Sequence, residues 1–191
     1  MFTGIIIDVG TIVEISDDKL VVDFNNEEFS NLALGTSVAV DGCCLTLSSY
    51  KNNNMIFQVS EETFSRTGLN DNHCGYVNLE LPSTLNTFLS GHIVQGHVDS
   101  TIKVSNISEL DNDMWTFKFE NANSKYIVDK GSITINGVSL TVVSPSLDTF
   151  EIAVINETYN RTNFKHLINE SIVNVEYDII IKYLEKLNYD K

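Results

Sequence analysis

The sequence predicts an all-β chain of two tandem homologous domains, each a small closed barrel, with a helix appended at the C-terminus. Three observations carry this. First, the chain repeats itself. Residues 37–47 (SVAVDGCCLTL) recur 95 positions later as residues 132–142 (SITINGVSLTV), and residues 62–67 (ETFSRT) recur at the same offset as residues 157–162 (ETYNRT). Residues 77–80 (VNLE) return as residues 173–176 (VNVE), at an offset of 96. Such a unit is too long for a solenoid or propeller repeat of about 20–50 residues, so it marks two domains. Second, short β-prone runs are closed by turn residues throughout, about six per copy, and closing such strands on themselves removes exposed edges. By pattern alone a sandwich stays open beside the barrel. Third, an apolar stripe at helical spacing lies beyond the second copy.

In order along the chain, residues 4–15 and 19–24 read as the first two strands. Val38-Ala39-Val40, Asp41-Gly42 and residues 43–47 read as a hairpin, because a type I′ turn needs positive φ at both central positions and Asp-Gly supplies it. Residues 55–60 form the next strand, a short helical stretch follows the Glu62-Thr63 block, and residues 76–81 close the copy. Pro82-Ser83-Thr84 interrupts the strands before Leu89, which sets three units at 1–86, 87–177 and 178–191. The second copy runs through residues 93–104, 115–119, a helical stretch near 121–128, the hairpin 133–135 and 138–143 around Asn136-Gly137, then 150–155, a helical stretch and 172–177. In the last unit Ile180, Ile181, Leu184 and Leu187 recur at steps of three and four, the mark of an amphipathic helix that needs another surface to cover it.

A formal net charge of −14 with only 12 Lys and Arg argues against nucleic acid or an anionic membrane as partner. No apolar run nears the ~18 residues of a membrane-spanning helix, and the first residues lack the basic start of a signal peptide. Three cysteines, two of them adjacent at Cys43 and Cys44, read as reduced thiols of a cytoplasmic protein. Cys-x-x-Cys, His-Glu-x-x-His, phosphate-loop and dinucleotide motifs are all missing, so no metal or cofactor is expected.

Positions two apart on a strand share a face, so Cys44 points with Thr46, and Ser139 with Thr141. These thiol and hydroxyl pairs, just beyond a tight turn, could line a pocket mouth; a small buried apolar cysteine and ordinary β-forming threonines explain them as well. In the Glu-Thr blocks a carboxylate and hydroxyls could bind a polyol or cap a helix. Residues 92–99 (HIVQGHVD) are dense in polar groups for a strand, and a histidine beside glycine, His97, is a candidate acid or base.

Taken together, residues 1–5 (MFTGI), 42–46 (GCCLT), 91–99 (GHIVQGHVD), 130–132 (KGS), 137–141 (GVSLT) and the paired Glu-Thr blocks resemble riboflavin synthases of the trimeric, two-barrel type. They do so in order, over residues 1 to about 180. The resemblance implies two six-stranded Greek-key barrels, a trimerising C-terminal helix and active sites between subunits. It implies the dismutation of two 6,7-dimethyl-8-ribityllumazine molecules into riboflavin and 5-amino-6-(D-ribitylamino)uracil, without cofactor or metal. Lumazine synthase is a candidate associate.

Carried over by position, the N-terminal pocket would use Gly4, Ile5, Ile6, Ser37, Cys44, Leu45, Thr46, Gln58, Val59, Ser60, Glu61, Glu62 and Thr63, with Phe2 and Thr3 reaching over it. The C-terminal pocket would use Gly96, His97, Val98, Lys130, Ser139, Leu140, Thr141, Val154, Ile155, Asn156, Glu157, Thr158 and Tyr159. His97 with Thr141 would handle protons, Ser139 would position or add, and Cys44 would act in the other pocket. Asn136 departs from the aspartate that such enzymes often carry there, and Ser90 from a glycine. The rival from another class is a lumazine or flavin-binding antenna protein of the same fold. Such proteins typically lose the thiol and histidine blocks, which this chain keeps.

Overall fold

A computed structural model describes every residue except His73, Asn121, Ala122, Asp190 and Lys191. The first copy holds β1 (Asp8–Ser16), β2 (Lys19–Asp23), β3 (Ser37–Val40), β4 (Cys43–Lys51), β5 (Asn54–Gln58), α1 (Glu61–Arg66) and β6 (Tyr76–Glu80). The second holds β7 (Ser100–Leu110), β8 (Met114–Glu120), β9 (Ser132–Ile135), β10 (Val138–Val143), β11 (Thr149–Ile155), α2 (Asn156–Arg161) and β12 (Ile172–Tyr177), and α3 (Ile179–Tyr189) ends the chain. Each copy is a closed antiparallel barrel of six strands, ordered β1-β2-β5-β4-β3-β6 and, equivalently, β7-β8-β11-β10-β9-β12. In both, the fifth strand passes the hairpin to pair with the second, and the sixth closes the barrel between the third and the first, a Greek-key connection. The sandwich alternative is thereby closed.

The hairpins form as their turns require. Asp41 and Gly42 have φ of 46° and 76°, and Asn136 and Gly137 have 45° and 80°. Alternation then sends Leu20, Leu47, Met55, Phe57 and Leu79 into one core and Phe117, Phe119, Phe150, Ile152 and Val175 into the other. Burying each such side chain contributes about 1.5–3 kcal/mol relative to exposure.

Three expectations are corrected. Strand β1 starts at Asp8 rather than residue 4, and β7 at Ser100 rather than residue 93. Residues 1–6 and 91–98 are β-prone but lie outside the barrels, because glycines at φ +77° (Gly4) and +79° (Gly96) turn the backbone out of the strand path. Helices α1 and α2 fall on the Glu-Thr blocks themselves, not after them, and the cap of α1 is Ser60, whose Oγ accepts from Thr63 N. The helical stretch near residue 121 begins with Asn121 and Ala122, outside the described residues, and continues as a 3-10 turn at Ser124–Tyr126.

An asparagine-lined seam joins the barrels. Asp41 Oδ1 accepts from Asn78 N at 2.7 Å, and Asn136 Oδ1 accepts from Asn174 N at 2.7 Å. Asn78 then donates through Nδ2 to Asn136 O (2.8 Å), and Asn174 through Nδ2 to Asp41 O (2.9 Å). The two copies thus grip each other's turn by the same bond, related by a pseudo-twofold axis. Asn163 adds a bond from its Nδ2 to Asp41 Oδ1 (3.0 Å), leaving these buried polar groups paired. Helix α3 packs on the second barrel through Ile181 and the Lys182–Asp99 ion pair at 2.6 Å, while Ile180, Tyr183, Leu184 and Leu187 face outward. No helix among the described residues is long and apolar enough to cross a membrane.

Candidate active site

The two lead-in segments cross over. Phe2 N donates to Val94 O at 2.7 Å and Val94 N to Phe2 O at 3.1 Å, so residues 1–6 and 92–98 run antiparallel between the barrels. Beyond that bridge each segment reaches the other copy's hairpin. Gly4 O accepts from Ser139 N at 2.8 Å, and Gly96 O accepts from Cys44 N at 2.8 Å. Ile6 packs on the second core and Val98 on the first. The assignment of Gly4, Ile5 and Ile6 to the first pocket, and of Gly96, His97 and Val98 to the second, is therefore corrected. Within one chain the first group belongs with Ser139 and the second with Cys44, because the exchanged backbone bonds override sequence order.

Two buried carboxylates hold this exchange. Glu80 accepts from Thr3 N (2.7 Å), Thr3 Oγ1 (2.8 Å) and Gly4 N (3.0 Å). Glu176 accepts from Gln95 N (2.7 Å), Gly96 N (2.9 Å) and His97 N (3.0 Å). Burial raises both carboxyl pKa values while these amides pull them back, as charge-assisted bonds do. Sequence reading saw Glu80 and Glu176 only as markers of the repeat. A glutamate ending an apolar strand in both copies was the available signal.

Ser139 has a further neighbour. Its Oγ lies 2.7 Å from His92 Nδ1, and His92 Nε2 lies 3.1 Å from Thr134 Oγ1. Burial lowers the His92 pKa, which holds the ring uncharged near neutrality, so one ring nitrogen donates while the other accepts. Such a ring orients the serine hydroxyl and can pass a proton to or from it. The imidazole beside Ser139 is therefore His92, which nothing in the sequence pattern singles out. His97 is exposed, and within the chain no hydrogen bond joins it to Thr141 among the described residues. Cys44 is half-buried against Phe2, Ala39 and Val94, while the Cys43 thiol, turned to the core, is pushed up to about 12 by burial.

Further along the strand from Cys44, an open groove of about 620 Å³ is lined by Thr46, Gln58, Val59, Ser60 and Glu61, together with Asp17, Asp18 and Ser48. Ser37 stands opposite Thr46 in the ladder, and Leu45 is buried in the core. Glu62 and Glu157 are exposed and bind Arg66 (3.1 Å) and Arg161 (2.5 Å) on their own helices. In the second copy Thr141, Ile155, Asn156 and Lys130 are exposed, Leu140 and Thr158 half-buried, and Val154 buried. Tyr159 lies flat on Trp115, ring centroids 3.7 Å apart and planes at 6°. The pocket rims therefore differ. Val59 N donates to Asp18 O where its counterpart Val154 pairs with Trp115, so an acid stands on one rim and an indole on the other.

The site is thus built on a repeated pair of barrels, each hairpin meeting a segment that leads into its twin. The chain belongs to the lumazine-binding domain family, whose model, "Lumazine binding domain", matches residues 3–82 and 95–178. Within that family it is similar along nearly its whole length to riboflavin synthases. That of Actinobacillus pleuropneumoniae is 39% identical over 97% of this chain and 89% of the relative. That of Bacillus subtilis is 38% identical over 100% and 93%. Among solved structures, LumP complexed with riboflavin superposes with a TM-score of 0.84 at 26% identity, covering 93% of this chain and 99% of that one. LumP complexed with 6,7-dimethyl-8-(1'-D-ribityl) lumazine gives 0.82 over the same shares.

Proposed function

We propose that this chain is a riboflavin synthase, which dismutates two 6,7-dimethyl-8-ribityllumazine molecules to riboflavin and 5-amino-6-(D-ribitylamino)uracil. The reciprocal exchange of lead-in segments carries the reading, since it supplies two related but unequal pockets for two identical substrates. Binding both rings in a fixed geometry converts a bimolecular step into a unimolecular one, which can be worth several powers of ten. A proton must leave the C7 methyl of one lumazine, and a nucleophile must add at C7 of the other. In this reading Ser139, set by neutral His92, serves one pocket together with Thr141. Cys44 and His97 serve the other, and the residues named above around them contact substrate.

The same reading takes the units as residues 1–86, 87–177 and 178–191, and the working protein as a cytoplasmic homotrimer with sites between subunits. Support for the trimer is the outward apolar stripe Ile180, Leu184, Leu187 of α3, which a single chain leaves uncovered. Sedimentation is expected to give a trimer for the full chain, and a smaller species with lost turnover for a chain ending at Asp178. A trimeric truncated chain would remove that role from α3.

The likeness to LumP supports a second reading, a fluorescent antenna that binds without turnover. This chain keeps Cys44, His97, Ser139 and Thr141, from the thiol and histidine blocks that such antenna proteins typically lose, which favours the enzyme. Incubation with the lumazine, with neither metal nor cofactor added, is expected to yield riboflavin fluorescence and the aminouracil in equal amounts. Tight binding with no riboflavin formed would select the antenna.

A further inference from the structure

Away from Ser139 and Cys44, a second groove of about 580 Å³ runs between the barrels. Its first-barrel wall is Ile6, Ile7, Asp8, Val9, Asn25 and Tyr76. Its second-barrel wall is Asn160, Arg161, Lys165 and His166, so three basic side chains face into one cleft of a chain with net charge −14. From this arrangement we infer that the groove is a binding site for a phosphate group, either inorganic phosphate or a phosphate monoester.

The acid on the opposite wall does not neutralise the cluster. Asp8 is saturated by its own barrel: Oδ1 accepts from Val9 N at 2.8 Å, and Oδ2 from Asn25 N at 2.7 Å and Asn26 N at 2.9 Å. Lys165 Nζ donates to Asn160 O at 3.0 Å and has two further hydrogens to give. Arg161 meets exposed Glu157 through Nε, and its planar guanidinium carries further donors in a fork suited to phosphate oxygens. The His166 ring stacks on Tyr76, centroids 3.9 Å apart and planes at 9°, and its nitrogens make no hydrogen bond among the described residues. Burial and the Lys165 charge lower the His166 pKa, so the place already disfavours one more positive charge.

The cluster is also new to the second copy. Ninety-five positions earlier the matching residues are Arg66, Asn70 and Asp71, one cation beside an amide and an acid. Inherited barrel structure therefore does not account for it. A dianion with tetrahedral oxygens fits the three donors, and Ile6, Ile7 and Tyr76 give an apolar floor for the body of an ester. The inference names no reaction, and of the residues given to the synthase pockets the groove shares only Ile6.

The test is titration of the full chain with inorganic phosphate, followed by imidazole NMR of His166. Saturable shifts are expected, together with a raised His166 pKa. The titratable and charged groups around that ring are Tyr76, Asp8, Glu157, Arg161 and Lys165, and with these unchanged an added anion moves it upward. Lys165→Gln should weaken the response about tenfold, as loss of one charge-assisted contact does. Arg66→Gln, at the matching place in the first copy, should leave it unchanged. Ribose 5-phosphate with ribose as control separates the sources: a monoester site binds the ester more tightly than phosphate, and a free-phosphate site does the reverse. Non-saturable shifts reproduced by sodium chloride, or equal binding by Lys165→Gln, would overturn the inference.

Discussion

Gly96→Ala is expected to abolish most turnover and to cost about 2–5 kcal/mol of stability, the sum of left-handed backbone strain and overpacking. At φ +79° an added Cβ would sit 2.6 Å from Cys44 Cβ and 2.9 Å from the Phe2 ring, both held by backbone on either side. Neither can yield cheaply, because Gly96 O and Cys44 N share a 2.8 Å bond and Phe2 is pinned to Val94. Relief therefore requires that the lead-in segment leave the hairpin, taking Glu176's amide partners with it. Gly35→Ala supplies the control. It carries the same conformational strain at φ +90° but has no atom within 4 Å of the new Cβ, so about 1–2 kcal/mol is expected, with turnover preserved. Thermal unfolding and riboflavin formation in the two variants decide the matter. Equal damage in both would mean that backbone strain, not the crossing, sets the effect.

That crossing is the part of the site the sequence hides. The duplication, both type I′ hairpins and the facing of Cys44 with Thr46 were legible because they depend on short-range pattern: turn chemistry, alternation, and blocks in register. Residues 93–98 carry Ile93, Val94 and Val98, so local propensity reads them as a strand. What they form instead depends on a carboxylate some eighty positions away, Glu176, which periodicity cannot see. The pairing of His92 with Ser139 is hidden for the same reason. Beside glycine, His97 looked the more accessible base, whereas the contact with Ser139 arises only once residues 1–4 and 91–94 are threaded between the barrels. The outward stripe of α3, by contrast, follows from 3.6-residue spacing and was visible from the start.

The same seam holds a group whose charge is out of place. Asp41 is buried between the barrels, and desolvation raises its carboxyl pKa from 3.8 to about 8 despite the bonds from Asn78 and Asn72. A raised folded-state value means that the folded protein binds the proton more tightly than the unfolded chain does. Stability is therefore full below pH 3.8 and declines as pH rises, and the loss is complete above about pH 8. The ionised form carries a penalty on the order of 5 kcal/mol. Asp41→Asn should remove it, and the fold shows that an amide is tolerated: Asn136 occupies the pseudo-twofold position, with φ 45° against 46° and the same bond to the facing asparagine. The variant loses the acceptor for Asn72 Nδ2, which costs about 1–3 kcal/mol at every pH. Denaturant unfolding at fixed protein concentration is thus expected to show Asp41→Asn slightly weaker than the parent at pH 5 and stronger by about 2 kcal/mol or more at pH 9. Parallel pH profiles for the two proteins would show that Asp41 stays ionised in the seam, held by its three amide donors.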